Sequence, residues 1–341
     1  MVAAAAALAG CGSGDGSVSG PVTVYVSVPL TGPRAVDGRD AADGARLALE
    51  LAGGRAGDLD VRAEFLDDAR GSRWDPVAVG ENARMAAEDS SAAAYIGELD
   101  SQPTRASVPI TNEAGIPQIS PGAGAVDLTR PAAGYPDSPD RYHPSGERSF
   151  ARVVPADDVV TRATAELAQR LGAERVAVAL PGTAFGGLVA EQFSADAAEV
   201  GISVVADPAR ADLTVAEGDR GGLELRDGED RVISPALAPS SLASAEFTSE
   251  FASEFDREPG PYAAYGYEAM ELALQAIADA DGADDDFRGE VVDALFGAER
   301  ADSVLGSYSI TDEGDSTLCA VQPYRRRGGA LEPSEPICPG A

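Results

Sequence analysis

The sequence predicts an α/β fold built from two units, and three observations lead to this prediction. The chain has 341 residues, which is more than one hydrophobic core usually organises, so two lobes are expected. Hydrophobic residues make up 44% and charged residues 24%, as in ordinary globular proteins. Short β-rich runs alternate with helical patterns along the chain, and this rhythm is typical of parallel sheets covered by helices.

The first predicted unit alternates strands and helices. Pro76 directly follows Asp75, as at the start of many helices. Residues 121–148 are rich in Gly, Pro, Ser and Asp and lack periodicity, so they are predicted to form a long surface excursion. We predict strands at Val22–Val28, Val61–Leu66, Ala93–Ile96 and Pro117–Ile119, and helices at Ala41–Leu51, Pro76–Asp89 and Pro103–Glu113.

The second predicted unit repeats the alternation less regularly. Residues 218–230 are charged and rich in glycine, and Pro259-Gly260-Pro261 breaks the chain. The helix after this break is apolar on more than one side, so it is predicted to be largely buried. We predict helices at Asp158–Leu171, Gly187–Val200, Leu242–Phe255 and Tyr262–Ala280, and strands at Arg175–Leu180, Ile202–Val205, Leu213–Ala216 and Arg231–Ser234.

Composition argues against a nucleic-acid partner and against an enzyme. The formal net charge is -31 and lysine is absent, so the protein repels phosphate backbones. The single histidine, His143, lies in the proline-rich excursion, where no catalytic triad is apparent. The glycine-rich segment 182–187 lacks the lysine and spacing of a phosphate-binding loop. We therefore expect no catalytic site, no metal and no cofactor.

The N-terminus predicts a lipid anchor. Residues 2–9 are apolar and lead into Leu8-Ala9-Gly10-Cys11, which resembles the lipobox of bacterial lipoproteins, where cleavage before the cysteine leaves Cys11 to carry the lipid. Residues 12–20 are almost all Gly and Ser, the composition of a flexible tether. Residues 1–20 are therefore assigned as lipoprotein signal and tether. The alternative is an alanine-rich helix with an incidental thiol.

Two cysteines remain near the C-terminus. In an exported chain, a late pair such as Cys319 and Cys338 is typical of a disulfide that closes a short loop. Metal binding is the weaker alternative, because His143 is the only histidine and lies far away in the sequence.

Most of the chain from Val24 to Asp315 resembles the leucine/isoleucine/valine-binding family of importer components, the type I periplasmic binding proteins. Four segments carry the resemblance, and their order and spacing together are specific. They are Pro29-Leu30-Thr31-Gly32-Pro33 with Gly38 and Gly44-Ala45; Tyr95-Ile96-Gly97 with Ser101; the stretch from Asn112 through Gly115-Ile116-Pro117 to Pro121; and Gly260-Pro261-Tyr262.

This resemblance implies two doubly wound parallel-sheet lobes joined by a three-strand hinge, with the ligand held between the lobes. The three crossings would lie near Val154-Pro155, near Pro259-Gly260 and near Gly306. Lobe 1 would comprise residues 21–153 and 260–305, and lobe 2, shorter than is usual in the family, residues 154–259 and 306–341.

The resemblance also implies a ligand site on the first lobe. Ser101 would offer its hydroxyl and amide to a ligand carboxylate, although a serine at a helix start also serves as an N-cap. Gly122 matches a position whose carbonyl meets the ligand ammonium. Gly124 stands where the family commonly has a threonine that meets the same ammonium, so only backbone groups remain there.

On the facing side the resemblance is weaker. Phe185 stands where a tyrosine often lines the second lobe, and Asp37 takes a position that is frequently aromatic. An acid at Asp37 would repel a ligand carboxylate and favour a cationic group. The usual acidic partner of the ammonium is missing after Ala216, and Glu217 and Asp219 are the nearest replacements, unless both are solvated loop charges.

The function implied by the resemblance is capture of an amino acid or a related small carboxylate by a monomeric lipoprotein on the outer face of the cell membrane. Its partners would be the permease and ATPase subunits of an ABC importer. Two other classes remain open. A sensor or degenerate accessory module could use the same cleft, whereas an enzyme is the least supported class.

Overall fold

The computed structural model describes residues 20–217, 223–227, 231–237, 243–280, 286–327 and 330–340. Its strands are β1 (Val22–Val28), β2 (Arg55–Ala56), β3 (Leu59–Asp67), β4 (Ala92–Gly97), β5 (Gln118–Ser120), β6 (Phe150–Arg152), β7 (Arg175–Ala179), β8 (Ser203–Val205), β9 (Leu213–Glu217), β10 (Leu223–Asp227), β11 (Arg231–Leu237), β12 (Glu299–Arg300), β13 (Tyr308–Ser309), β14 (Val321–Arg327) and β15 (Ala330–Pro333). Its helices are α1 (Ala35–Leu51), α2 (Pro76–Glu88), α3 (Ser101–Glu113), α4 (Asp157–Arg170), α5 (Ala184–Glu199), α6 (Ala245–Phe255), α7 (Ala263–Asp279) and α8 (Phe287–Leu295).

The first lobe is a doubly wound sheet with strand order β2-β3-β1-β4-β5-β6. All neighbouring strands are parallel except β2 and β3. Successive side chains of β1 enter different cores: Val24 and Val26 pack with α1 and α7, whereas Tyr25 packs with residues of α2. Because both faces of the sheet are covered, β1 is hydrophobic along nearly its whole length.

The second lobe has a mixed sheet with strand order β15-β14-β11-β10-β9-β7-β8. Strands β8, β7 and β9 are parallel to one another. The neighbouring pairs β9–β10, β10–β11, β11–β14 and β14–β15 are antiparallel. Helices α4 and α5 pack together in one core on one face. The two-lobe α/β fold is thus confirmed, but the second sheet departs from the expected doubly wound form, because antiparallel neighbours need no crossover helix.

The lobe crossings agree with the sequence prediction at one place and differ at two. The first lies between β6 and α4, as predicted near Val154-Pro155. The second precedes α6 rather than lying at Pro259-Gly260, because Phe247 and Phe251 bury against Leu47 of α1. The third follows Ile310, which packs in the first core, rather than lying near Gly306.

The C-terminal tail is fastened to the second lobe. Cys319 and Cys338 form a disulfide with their Cα atoms 4.9 Å apart. Inside the loop that this disulfide closes, the backbones of Val321 and Ile337 exchange two hydrogen bonds of 2.8 Å, and both side chains are buried in the second core. Within the described ranges, no helix is both long and apolar enough to cross a membrane.

Candidate ligand-binding cleft

Ser101 lies at the N-terminus of α3, beside the loop that follows β5. Its Oγ accepts a hydrogen bond from the backbone N–H of Ala125 at 3.1 Å. Its own hydrogen finds no acceptor in the described part of the chain and can be donated to a ligand. Asp100 is the N-cap residue of α3, so the N-capping interpretation of Ser101 is wrong. Ser101 therefore presents a donor at the positive end of the helix.

Gly122 and Gly124 lie in the same loop, and both are closely packed. A Cβ atom on Gly122 would lie 2.3 Å from the backbone oxygen of Leu99, and one on Gly124 would lie 2.3 Å from Oδ1 of Asp157. The backbone oxygen of Gly124 also accepts a 2.7 Å hydrogen bond from the N–H of Asp157. The loop next to Ser101 thus touches the first residue of α4 in the second lobe.

The second lobe contributes a pocket of about 300 Å³ at the carboxyl ends of β7 and β9, where the N-termini of α4 and α5 also lie. Phe185 and Glu217, both predicted from sequence, line this pocket, whereas Asp219 lies outside the described residues. Its wall is formed by Asp157, Val160, Thr161, Leu180, Pro181, Thr183, Phe185, Gly186, Val189, Glu217 and Leu223. Apart from the few polar groups, this wall suits an apolar ligand side chain.

A second pocket of about 220 Å³ connects the two lobes beside the first. Val126 and residues 131–133 of the excursion form one wall, and α5 forms the other. Asp157 and Thr161 line both pockets. Asp157 therefore lies where the first-lobe loop, the hinge and the second-lobe pocket meet.

The carboxylate of Asp157 is incompletely hydrogen-bonded. Its Oδ2 atom is buried and receives no hydrogen bond from the residues that the structure describes. Burial raises the pKa of Asp157 to about 6, although the nearby guanidinium groups of Arg152 and Arg105 act to lower it. Sequence analysis missed this residue because the helix was predicted to start at Asp158, and only the contact with Gly124 reveals its position.

Asp37, the remaining predicted site residue, is paired with an arginine. Arg34 Nε donates to Asp37 Oδ2 at 2.8 Å, and its Nη1 donates to Asp100 at 2.7 Å. The guanidinium, only 5% exposed, also lies 5.5 Å from the ring centre of Tyr262. Arg34 pairs with both Asp37 and Asp100, so it offsets part of the Asp37 charge, and the repulsion of a ligand carboxylate by Asp37 stays a prediction. Sequence analysis missed Arg34, although its i,i+3 spacing from Asp37 is visible in the sequence.

Buried acids lie at the ends of the central strands of the first lobe. Glu98 is fully buried and accepts a hydrogen bond from Tyr95 at 2.6 Å and another from Ser107. Asp68 is 1% exposed, and its Oδ1 receives no hydrogen bond from the described residues. Burial raises the pKa of Glu98 to about 7 and that of Asp68 to about 8.

Asp68→Asn is expected to reduce the loss of stability as pH rises from 5 to 8. An acid whose pKa is higher in the folded than in the unfolded chain stabilises the fold at low pH, and this contribution is lost as pH rises from about 4 to about 8. The variant should gain several degrees in melting temperature relative to wild type on going from pH 5 to pH 8. The matched change at the 84% exposed carboxylate of Asp140 should not, and equal pH dependence of wild type and Asp68→Asn would refute the assignment.

The described residues show no arrangement of three or more His, Cys, Asp or Glu side chains that could hold a metal ion. Ser101, Gly122 and Gly124 lie together on the first lobe, at the start of α3 and in the loop after β5. Phe185 and Glu217 lie together in the second-lobe pocket, and Asp157, which also lines that pocket, contacts Gly124. That these residues form one ligand site stays a prediction.

Comparison with protein families classifies this chain. The family model described as periplasmic binding protein matches residues 21–218, more than half of the sequence. The chain belongs to the periplasmic binding protein family. The relationship predicted from the four short segments is thereby confirmed. No curated protein sequence matches the chain significantly.

Solved structures of periplasmic binding proteins share the fold. A leucine-binding protein from Thermotoga maritima is 20% identical with a TM-score of 0.74, covering 93% of this chain and 99% of its own. A solute-binding protein of an ABC transporter from R. palustris in complex with benzoate is 21% identical (TM-score 0.70, 94% and 97% covered). A branched-chain amino acid transporter substrate-binding protein from Streptococcus pneumoniae in complex with isoleucine is 16% identical (TM-score 0.71, 94% and 100% covered). At these identities the similarity concerns the fold.

Proposed function

We propose that this periplasmic binding protein is the solute-binding component of an ABC importer and that it binds an amino acid or a related small carboxylate between its lobes. The observation that carries the proposal is the position of Ser101. Its hydroxyl lies at the positive end of α3, and the loop that it contacts through Ala125 touches Asp157 at the edge of the second-lobe pocket.

The binding step follows from this geometry. The Ser101 hydroxyl and the free N–H groups at the start of α3 receive the ligand carboxylate, as helix N-termini commonly do. The remainder of the ligand extends toward the apolar wall with Phe185. Approach of the lobes around the three crossings excludes water and completes the site. Of the similar proteins, one was solved with isoleucine and one with benzoate, and both ligands carry a carboxylate.

The lipid anchor, the location at the membrane and the importer partners are also part of this proposal. Cys11, which lies outside the described residues, would carry the lipid that anchors a monomer to the outer face of the cell membrane. The closed form would then meet the permease and ATPase subunits. Detergent-dependent membrane fractionation of the wild-type chain and of Cys11→Ala tests the anchor, because loss of the lipid should release the protein.

A thermal-shift panel of L-amino acids and small carboxylic acids, each at about 1 mM, tests the binding function. A ligand present at about a hundred times its dissociation constant adds about 2.7 kcal/mol, which raises the melting temperature by several degrees. A response to a carboxylate-bearing solute supports the importer component. If no compound raises the melting temperature, the importer function is contradicted, and the alternative of a sensor or accessory module with the same cleft is favoured.

Ser101→Ala is expected to weaken ligand binding by about 1 to 3 kcal/mol, because a buried carboxylate then loses a charge-assisted hydrogen bond. Isothermal titration with the ligand from the panel measures the change. Ser194→Ala is the matched control, since the Ser194 hydroxyl bonds the backbone oxygen of Ala190 within α5. Unchanged affinity in Ser101→Ala would remove this residue from the site.

A further inference from the structure

The second pocket, of about 220 Å³, has a wall that only the excursion supplies. Val126 and residues 131–133 form this wall, and Leu188 and Ala195 of α5 lie on the opposite side. None of these residues lines the first pocket. The excursion, which the sequence predicts as a surface segment, therefore encloses a space that the second lobe alone would leave open.

Ion pairs and a hydrogen bond hold the excursion wall in place. Arg130, next to the wall, pairs with Asp158 of α4 at 2.9 Å and with Asp315 at 2.7 Å. The backbone N–H of Ala132 donates to Ser138 Oγ at 3.0 Å. The wall is thus fastened to a helix that itself lines the pocket. The space is therefore largely preformed, as small-molecule sites usually are.

Most polar groups of the second pocket already have partners. The Thr161 hydroxyl donates to the buried Asp196 at 2.7 Å, and the amide of Gln192 donates to the same carboxyl group at 3.3 Å. Asp158 is paired with the arginine of the excursion, and Glu191 is exposed, so water can solvate it. The remaining wall is formed by alanine, valine, leucine and proline side chains. An apolar occupant suits this wall best.

The second pocket adjoins the first. Asp157, Thr161 and Val189 line both pockets, so the two spaces meet above the groove between α4 and α5. The first pocket, of about 300 Å³, is at the lower limit of small-molecule sites, and the second adds about 220 Å³ to it. A ligand part that enters beside Phe185 can therefore extend past Val189 toward the excursion.

Charge restricts the occupant further. Among the residues that the structure describes, no arginine lines either pocket, whereas Asp157 and Glu191 line the second and Glu217 lines the first. An anionic group at the far end of a ligand would meet like charges there without a cationic partner. The far end is therefore expected to be uncharged.

We propose that the second pocket receives the far end of an unbranched apolar chain, so that the cleft prefers amino acids or carboxylates whose chains extend beyond the length of leucine. This inference rests on the proposed function and deepens it, because the head group of the ligand remains the one proposed above. Ala133 and Ala195 act as specificity-determining residues, since their small side chains leave the space open.

A homologous ligand series tests the preference for length by isothermal titration. The probes are L-norvaline, L-norleucine, L-2-aminoheptanoate and L-2-aminooctanoate, and the straight-chain carboxylates from pentanoate to octanoate form a parallel series without the amino group. Each added methylene that is buried should raise the affinity of the wild type by about threefold to fourfold. This rise should continue to the longest member. If only the first pocket is used, the affinity should level off or fall.

Variants that fill the second pocket test its assignment. Ala195→Leu, which leaves the first pocket untouched, should lower the affinity for L-2-aminooctanoate by about tenfold and leave that for L-norvaline unchanged. Ala133→Leu should act in the same direction from the opposite wall. Ala198→Leu is the matched control, because Ala198 is an exposed alanine of α5 that lines neither pocket.

A charged chain end tests the electrostatic part of the inference. L-2-aminosuberate has the same chain length as L-2-aminooctanoate but ends in a second carboxylate. It should lose the affinity gained by the longer chain, since that carboxylate would lie near Glu191 and Asp157. Equal affinities of the two compounds would show that the chain end lies outside the second pocket.

The remaining outcomes are distinguishable. If L-norvaline and L-2-aminooctanoate bind equally well and Ala195→Leu changes neither affinity, the inference is overturned and the proposed function stands. If Ala195→Leu weakens both ligands alike, the effect is a general one on α5, and selection by length is again overturned. If no member of either series binds, the capture of amino acids or carboxylates is itself contradicted, and both proposals fail.

Discussion

Arg152→Ala is expected to destabilise the folded protein by about 3 to 5 kcal/mol, the usual cost of removing one partner from a buried ion pair. The Arg152 side chain is fully buried. It pairs with Asp315 at 2.9 Å and donates to the backbone oxygens of Ala123 and Ala125 at 2.8 and 2.9 Å. It also donates to Thr129 at 2.8 Å. The variant removes the side-chain donor of the two backbone oxygens and of Thr129, whereas Asp315 keeps its hydrogen bonds from Thr129 and Arg130.

The same arginine connects parts of the chain that are distant in sequence. It ends β6 at the first lobe crossing, and Asp315 lies on the third crossing, between Ile310 of the first core and Val321 of the second. The backbone oxygens that it holds belong to the loop with Gly122 and Gly124. We therefore expect Arg152→Ala to weaken ligand binding as well as to lower stability, whereas Arg152→Lys should keep part of both.

Urea unfolding followed by circular dichroism measures the stability change. Arg148→Ala is the matched control, because Arg148 is 34% exposed and its partner Asp140 is 84% exposed. Such a surface pair contributes at most about 1 kcal/mol. Similar losses in the two variants would show that the Arg152 network does not hold the hinge together.

Local sequence patterns predicted the first lobe well because each of its strands and helices carries its own signal. The alternation of buried strands and helices, with Pro76 after the capping residue Asp75, gives α2 correctly. The start of α1 was placed too late, at Ala41 instead of Ala35. Its first turn contains Asp37 and Gly38, which disfavour a helix when viewed alone, and the Arg34 ion pair that compensates Asp37 is not visible in a periodicity pattern.

The second lobe was less predictable because its later strands depend on tertiary pairing. Strand β14 joins the sheet beside β11, far earlier in the chain, and this partnership has no local signal. Helix α6 was correctly predicted as a helix but assigned to the wrong lobe. Its apolar stripe with Phe247 and Phe251 identifies a buried face, yet nothing in the stripe says which lobe covers it.

The ligand site shows the same limit. Ser101 and the two glycines could be named from their motif, since short segments around a strand end keep their relation to the backbone. The environment of Asp157 depends on a contact between residues 33 positions apart in two lobes. Likewise, the pairing of Arg34 with Asp100 joins two separate loops. Charge compensation across such distances is visible only after the chain is folded.

A second large effect is expected at the contact between α1 and α7. A Cβ atom on Gly44 would lie 1.9 Å from the backbone oxygen of Ala263, and one on Gly266 would lie 2.0 Å from that of Ala41. The two helices therefore approach so closely that their backbones touch at reciprocal glycines. This contact accounts for the Gly44-Ala45 motif, because any side chain at residue 44 would separate the helices.

Gly44→Ala should consequently destabilise the protein by about 3 kcal/mol, at the upper end of overpacking effects, because the atom that must move is backbone. Gly80→Ala in α2 is the matched control with the opposite sign. Its new Cβ would meet only the end of the exposed Arg84 side chain at 3.2 Å, and helical alanine is favoured over glycine by about 0.5 to 1 kcal/mol. Thermal denaturation of the two variants distinguishes close packing from general helix propensity. If both variants were stabilised, the helices would have room to separate, and the close approach of α1 and α7 would not be what requires glycine at residue 44.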